Sequence, residues 1–254
     1  MELRLDGKVA IVTGGSKGIG KAIAAEYAAS GAQVMIVSRK PEGCEAAAEE
    51  IGHGCVWKAG NAGDEDFIAD VVSTLMNDYG RIDIMVNNAG ANPYAGPTID
   101  IDMPRWNKTW HVNVSAPLMW SKAVWDAYMK DSDGGCSVVN ISSVGGFSTN
   151  PAIGAYDITK AALIHLTKQL AAEMGPQANV NAICPGLVKT DFARMLWEGE
   201  KGHQVAQAYP MKRLGEPFDM AAMAVFLASE AGSWITGQSI VIDGGGLISF
   251  KQIG

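Results

Sequence analysis

Short apolar runs alternate with amphipathic segments along most of this chain. The runs have the length of strands and are rich in Val and Ile, residues that favour strands. They predict strands at 9–12, 34–37, 55–57, 84–86, 138–141, 180–183 and 240–242. The segments between them show helical spacing, and they predict helices at 19–29, 44–51, 64–79, from about 102 onward, and at 155–174.

Strands that are joined by helices pair in parallel, and the helices then cover both faces of the sheet. The alternation therefore predicts an α/β fold, a Rossmann-type doubly wound parallel sheet of seven strands with helices on both faces. No linker or change of composition divides the chain, so we expect a single domain over residues 1–254. Residues 191–213 interrupt the alternation after the sixth strand, where such folds bind substrates, and we expect a substrate lid at about 187–213.

A glycine-rich loop, Thr-Gly-Gly-Ser-Lys-Gly-Ile-Gly at residues 13–20, follows the first predicted strand. Gly14 permits the sharp turn, Gly18 lets the backbone approach a pyrophosphate, and Gly20 lets the next helix pack on the sheet. The N-terminus of that helix adds free N–H groups and a partial positive charge. The pattern predicts a dinucleotide site that includes Gly14, Ser16, Lys17, Gly18, Ile19 and Gly20.

The end of the second predicted strand indicates which dinucleotide is bound. NAD sites usually place an acidic residue there to hold the ribose hydroxyls, but this strand ends in Val-Ser-Arg-Lys at 37–40. Arg39 can bind a 2′-phosphate through its guanidinium, Ser38 can donate to it, and Lys17 can add positive charge. We expect NADP(H) to be preferred, with NAD(H) possible; the alternative is that Lys17 and Arg39 are solvated surface charges.

Tyr156 and Lys160 are four residues apart at the start of a predicted helix, so their side chains leave the same face. A nearby ammonium lowers the pKa of a phenol, which can then exchange a proton with a carbonyl oxygen. Ser143 follows the fifth strand and can donate to the same oxygen. Ser142 is the competing candidate, and we favour Ser143 from its spacing to Tyr156.

Asn113 lies inside the long fourth helix, four residues before Pro117. Because proline lacks an N–H, the carbonyl of Asn113 loses its helical partner. That carbonyl can hold a water that connects Lys160 with solvent. The alternative is a simple kink that shapes the packing surface.

Composition excludes several classes of function. The formal net charge of -7 and the lack of a basic stripe argue against nucleic acid and against a membrane surface as partners. No apolar segment approaches the length of a membrane span, and the charged first six residues do not resemble a signal peptide. The four cysteines and four histidines show no metal-ligand spacing, so we expect reduced thiols, no metal and a cytoplasmic location.

Taken together, these residues resemble the short-chain dehydrogenase/reductase family, and the resemblance covers nearly the whole chain. Further motifs that carry it lie at 87–90, 213–217, 236–238 and 243–245. The resemblance implies a catalytic tetrad of Asn113, Ser143, Tyr156 and Lys160. It implies cofactor contacts from Asn88, Ala89, Gly90, Tyr156 and Lys160, and from Pro185, Gly186, Val188 and Thr190 after the sixth strand.

The resemblance also implies a homotetramer and an adenine contact. Trp120, Trp125 and Tyr128 would suit a subunit interface, although they could equally belong to the core of one chain. Asn61 stands where the family usually has an Asp that touches the adenine. An amide can still hydrogen-bond the edge of the base, with a different pattern of donors and acceptors.

The predicted activity is NADP(H)-dependent interconversion of a small-molecule ketone and secondary alcohol, with Tyr156 as acid and base. One alternative is a 3-oxoacyl-acyl-carrier-protein reductase, but residues 130–133 and 175–177 hold few of the cations that an acidic carrier would need. A non-catalytic NADP(H)-binding regulator is the other alternative, and it would not need the Ser–Tyr–Lys set. Apolar residues of the substrate region favour a hydrophobic substrate: Phe147, Leu187, Met195, Leu196 and Trp197.

Overall fold

The computed structural model describes residues 3–248, so the first two and last six residues of the predicted domain lie outside it. Within this range, seven strands form one parallel sheet in the order β3-β2-β1-β4-β5-β6-β7. The strands are β1 (Val9–Thr13), β2 (Gln33–Ser38), β3 (Val56–Ala59), β4 (Ile84–Asn87), β5 (Cys136–Ile141), β6 (Ala178–Pro185) and β7 (Ser239–Ile242). The predicted fold class is confirmed.

Helices cover both faces of the sheet. They are α1 (Gly18–Ala29), α2 (Pro41–Ile51), α3 (Glu65–Tyr79), α4 (Met103–Trp110), α5 (Ala116–Ala127), α6 (Gly154–Met174), α7 (Arg194–Trp197), α8 (Glu200–Ala208) and α9 (Pro217–Ala228). Two of these helices have side-chain caps at their N-termini, since Asp64 accepts from Phe67 N and Asp102 accepts from Arg105 N. None of the helices within residues 3–248 combines the length and apolar character that a membrane crossing requires.

The central strands are buried and mostly apolar because both faces of the sheet are covered. Every residue of β1, β4 and β5 is buried. One side of the sheet packs on α1 and α9, through residues such as Ile23 and Ala224. The other side packs on α3 and α5, through residues such as Leu75 and Trp120.

The strand order reverses direction at β1. Val12 of β1 is paired with Ile36 of β2 on one side and with Val86 of β4 on the other. Crevices at the carboxyl ends of strands open at such switch points, and ligands of doubly wound sheets bind there. The glycine-rich loop therefore starts at the place where the topology opens a ligand crevice.

The pattern of apolar residues missed helix α9. Its sequence, Pro-Phe-Asp-Met-Ala-Ala-Met-Ala-Val-Phe-Leu-Ala, is apolar nearly all round and so shows little helical period. Two signals were present nevertheless: Pro217 in the first turn, and a capping box between Glu216 and Asp219. The helix is buried against α1, where the Tyr27 hydroxyl donates to Ala224 O at 3.1 Å.

The predicted long fourth helix is three consecutive pieces. Between α4 and α5 the backbone forms a π-helical turn, His111–Ser115, with Asn113 at its centre. Pro117 has no N–H for the usual bond to residue 113, and a π turn shifts the bonding pattern past that position. The interruption is thus a π turn, which differs from the simple kink that the sequence left open.

Trp120 belongs to the core of this chain. It is 1% exposed, and its indole donates to Ala62 O at 2.8 Å. Trp125 and Tyr128 pack against the same apolar cluster. Trp120 therefore belongs to the core of one chain, as one of the two interpretations of these aromatic residues stated. Its side chain has almost no exposed surface that a partner subunit could contact.

Candidate active site

The glycine-rich loop forms a cradle between β1 and α1. Gly14 and Gly18 have φ angles of +65° and +51°, a region that residues other than glycine rarely adopt. No side chain among residues 3–248 caps the N-terminus of α1. Its first N–H groups and the positive end of the helix dipole are thus available to a phosphate.

Asn88 fastens this cradle to the loop after β4. Its side-chain amide donates to Thr13 O at 2.8 Å and to Gly14 O at 3.2 Å. The Thr13 hydroxyl in turn accepts from the N–H groups of Asn88 and Ala89. Gly90 continues this loop past Lys160, since a Cβ there would lie 3.8 Å from Lys160 Nζ.

The three residues predicted to bind the 2′-phosphate differ in their partners within the structure. Ser38 is held by a 2.9 Å hydrogen bond from Ser16 Oγ, at the end of β2. Arg39 is exposed beside it and forms no ion pair with any residue in the range 3–248. Lys17 is instead 3.3 Å from Asp191 Oδ2, in the predicted lid. Of the two predicted cations, Arg39 is therefore the one without an ion pair among residues 3–248.

The loop that carries Asn61 is held by hydrogen bonds within the loop and by contacts with α5 and the π turn. Asn61 Oδ1 accepts from Gly63 N at 3.1 Å. The carbonyl of Ala62 accepts from Trp120, and the carbonyl of Gly63 lies 2.8 Å from His111 Nε2. This support involves residues from α5 and the π turn, so it could not be inferred from the spacing of the motif.

Tyr156, Ser143 and Lys160 come together at the carboxyl end of β5 and the start of α6. The Ser143 side chain lies close enough to the phenol of Tyr156 to lower its pKa, and its hydroxyl accepts from Gly145 N at 3.0 Å. Lys160 Nζ lies 5.5 Å from the centre of the tyrosine ring. Ser142, the competing candidate, donates to Lys160 O at 2.9 Å and is buried, so its hydroxyl is engaged by the backbone of α6.

The pKa of Tyr156 differs from the sequence-based expectation. Burial raises it to about 12, and the hydrogen bond with Ser143 only partly offsets this effect. The groups that act on this pKa in the protein alone do not include Lys160, whose ammonium donates to Ile141 O at 2.8 Å. Burial also lowers the pKa of Lys160 to about 8. The expected lowering of the phenol pKa is therefore wrong for the protein alone, in which Tyr156 is a protonated donor at neutral pH.

Asn113 is fully buried and links two parts of the site through its side chain. Its amide accepts from Ala91 N at 2.8 Å and donates to Ala91 O at 2.9 Å. The same amide donates to the Thr159 hydroxyl at 3.0 Å. The π turn thus places Asn113 where it ties the loop after β4 to helix α6, next to Lys160.

The first residues of the predicted lid pack against the glycine-rich loop. Gly18 faces the Thr190 side chain, and a Cβ at Gly18 would lie 3.1 Å from it. Trp197 donates to Thr190 O at 2.9 Å. The ring of Phe192 lies 6.1 Å from the ring of Tyr156, centre to centre. Sequence reasoning missed Phe192, and the only available signal was its apolar character within the lid.

The other predicted residues of this region take different places. Met195 and Leu196 are largely exposed, and Val188 is buried in the core on the α1 and α9 side of the sheet. Gly186 N donates to Ile242 O at 2.9 Å, which fixes the chain after β6. Ile19 packs beside the same core. These residues shape the crevice, while Thr190 and Phe192 lie next to its reactive groups.

The residues present fit a nicotinamide dinucleotide. The cradle has glycines where the backbone must be approached, a free helix N-terminus for phosphates, and an unpaired arginine at the end of β2. A tyrosine, a serine and a buried lysine stand at the far end of the same crevice. That arrangement suits hydride transfer at a carbon whose oxygen meets two hydroxyl groups.

Comparison with known proteins gives a consistent result. A family model described as enoyl-(acyl carrier protein) reductase matches residues 14–246. Human dehydrogenase/reductase SDR family member 4 is 41% identical over 95% of this chain and 88% of its own length. Short-chain dehydrogenase/reductase SDRA of Arabidopsis thaliana is 38% identical over 95% of both chains.

Solved structures show the same relationship. A short-chain dehydrogenase/reductase from Mycobacterium ulcerans superposes with a TM-score of 0.91 at 34% identity, covering 97% of this chain and 92% of its own. The Pseudomonas aeruginosa RhlG/NADP active-site complex gives 0.89 at 32% identity, covering 96% and 98%. The chain therefore belongs to the short-chain dehydrogenase/reductase family, and it is an oxidoreductase that acts on CH–OH or carbonyl groups.

Proposed function

We propose that this protein is an NADP(H)-dependent reductase of hydrophobic ketones, and that it oxidises the corresponding secondary alcohols in reverse. The observation that carries the proposal is the convergence of Ser143 and Tyr156 on one point, beside a crevice with a phosphate cradle. When bound, NADP(H) supplies or accepts the hydride. The predictions of a cytoplasmic location and a homotetramer accompany this proposal and rest on the sequence.

The catalytic residues act on the substrate oxygen. Ser143 donates to the carbonyl oxygen and polarises it, and Tyr156 gives its proton to the same oxygen during reduction. In the oxidation direction the phenolate takes that proton back. Lys160 is the cation nearest the phenol ring, at 5.5 Å, and its charge favours the phenolate in that direction. Asn113 holds the loop after β4 against α6 and so keeps Lys160 in position.

Hydrophobic ketones fit the surroundings of this pair. Phe192 stands over Tyr156, and Phe147 is half exposed on the loop that follows Ser143. An acidic carrier protein is less suitable, because four cations in or beside the lid are already paired with carboxylates. These pairs are Lys17 and Arg194 with Asp191, Lys189 with Glu216, and Arg213 with Asp219.

A substrate panel tests the proposed reaction. We expect NADPH oxidation with aryl and cyclic ketones, and little turnover of acetoacetyl or enoyl thioesters, free or carrier-linked. The readout is the loss of NADPH absorbance under steady-state conditions. Turnover of the carrier-linked 3-oxoacyl substrate alone would contradict the proposal, and turnover of the enoyl substrate alone would replace carbonyl reduction with reduction of a carbon–carbon double bond.

The cofactor preference rests on Arg39. We expect Arg39→Ala to weaken NADPH binding by about 10- to 100-fold, because a charge-assisted contact to a phosphate contributes about 1.5–3 kcal/mol. Binding of NADH, which lacks the 2′-phosphate, should change little. Fluorescence titration of both cofactors measures the effect. Lys168→Ala removes another exposed cation, on α6, and serves as the control; an equal effect of both variants on NADPH, or none from Arg39→Ala, would contradict the prediction.

A further inference from the structure

Asp157 is a buried carboxylate in the first turn of α6, directly after Tyr156. It is 5% exposed. Its Oδ2 accepts from Asn150 N at 2.9 Å, while its Oδ1 is buried without a hydrogen-bond partner among residues 3–248. A buried carboxylate that is only half satisfied costs stability. A carboxyl group that lowers stability beside these reactive side chains is typical of a functional role.

The carboxyl group contacts the segment that leads away from Ser143. A Cβ added to Gly145 would overlap Asp157 Oδ1, so the carboxyl group lies directly on the backbone of Gly145. The N–H of that same Gly145 donates to Ser143 Oγ at 3.0 Å. The bond from Asn150 N holds the far end of the segment. Asp157 therefore touches the segment at two points, and one of them is bonded to the catalytic serine.

We propose that Asp157 is a positioning residue, which clamps residues 145–150 onto α6 so that the Ser143 hydroxyl stays directed at the phenol of Tyr156. The proposal rests on the proposed roles of Ser143 and Tyr156. The clamped segment also carries Phe147, half exposed beside the site. A loose segment would misdirect the serine and this wall of the substrate site together.

The charge of Asp157 also acts on Tyr156. Its carboxylate raises the pKa of the phenol, and burial raises the pKa of Asp157 itself. Residues 144–153, which pack on the carboxyl group, contain no ionisable side chain. The adjoining residues 91–97 contribute only Tyr94, whose hydroxyl donates to Pro97 O. On α6, the nearby ionisable groups are Tyr156 and Lys160, and from β6 the thiol of Cys184 also raises the pKa of the phenol. Removing the charge of Asp157 should therefore shift the titration of the catalytic phenol, while Cys184 is unchanged.

Two substitutions separate the clamp from the charge. Asp157→Ala removes both, and we expect kcat/KM for the ketone to fall about 10- to 100-fold, since small misplacements of catalytic groups cost this much. Asp157→Asn keeps an acceptor for Asn150 N, so it should recover most of the loss. It should also move the alkaline limb of the reduction pH profile to lower pH by roughly half a unit, because a neutral neighbour lets the phenol ionise more easily.

The control removes an equal charge in the first turn of another helix. Asp66→Asn, on the exposed side of α3, should leave both kcat/KM and the pH profile unchanged. Wild-type kcat/KM in Asp157→Ala, or an unmoved pH limb in Asp157→Asn, would overturn the proposal. If the alanine variant does not fold, the pH profile of Asp157→Asn decides alone. Full activity of Tyr156→Phe would instead overturn the proposed function, so the two failures are distinguishable.

Discussion

Tyr156→Phe is expected to lower kcat for ketone reduction by about 10²- to 10⁴-fold, the usual range for loss of a positioned acid. The change removes one oxygen and leaves the aromatic ring, so the packing of Phe192 against it persists. Because the phenol is protonated at neutral pH in the protein alone, it is in the form that reduction requires. Single-turnover and steady-state measurements of NADPH oxidation would show the loss.

Two further measurements make the Tyr156 result specific. The affinity for NADPH should change by less than about 1.4 kcal/mol, a tenfold difference in binding, because the glycine cradle and Arg39 lie elsewhere in the crevice. Tyr79→Phe removes a hydroxyl from a partly exposed residue on α3 and should retain full activity. If Tyr156→Phe turned over the ketone at the wild-type rate, another group would have to supply the proton.

Gly20→Ala is expected to impair both stability and cofactor binding. A Cβ at this position would overlap Asn88 Nδ2 and would lie 2.5 Å from Gly14 O. The first of these atoms fastens the cradle to the loop after β4, and the second belongs to the cradle backbone. Neither atom can move freely, so we expect the free energy of unfolding to fall by about 1–3 kcal/mol, as is typical of an overpacked site. The melting temperature should fall by roughly 2–4 °C for each kcal/mol.

Thermal unfolding and NADPH titration together test this prediction. Binding should weaken at least tenfold, since the methyl group displaces the backbone that meets the phosphates. Gly43→Ala is the matched control, because Gly43 lies in the first turn of α2 and a Cβ there would meet only Lys40 Cβ, at 3.9 Å. That variant should be neutral or more stable by up to about 1 kcal/mol. Equal melting temperatures for Gly20→Ala and the wild type would contradict the steric argument.

Local pattern predicted most of the sheet. The central strands are buried on both faces, so their sequences are mostly apolar and can be recognised without any partner. Burial also explains why the pattern did not predict helix α9. A helix that is apolar nearly all round has no polar face, so its sequence shows no helical period. Its capping box at Glu216 and Asp219 would have been the better signal.

Motif spacing was sufficient to predict the glycine cradle, which lies within one loop, and the pair of Tyr156 and Lys160, which lie one helical turn apart. Ser143 was predicted from its place just after the fifth strand. Spacing was insufficient for residues that act across the fold. The pKa of Tyr156 is raised because tertiary packing buries the phenol, and Lys160 is engaged by a carbonyl of β5. Neither effect is visible in the i, i+4 pattern that suggested a lowered pKa.

The sequence by itself determined the alternation of strands and helices, the family resemblance and the chemical types of the reactive side chains, because these depend on residues close together in the chain. Only the tertiary structure directed the Ser142 hydroxyl to Lys160 O and placed Ser143 beside Tyr156. It paired Lys17 with Asp191, left Arg39 unpaired among residues 3–248, and brought Phe192 to Tyr156. It also placed the half-satisfied carboxyl group of Asp157 on Gly145. Such contacts join segments that are separate in the chain, and their geometry follows from packing, which no local pattern records.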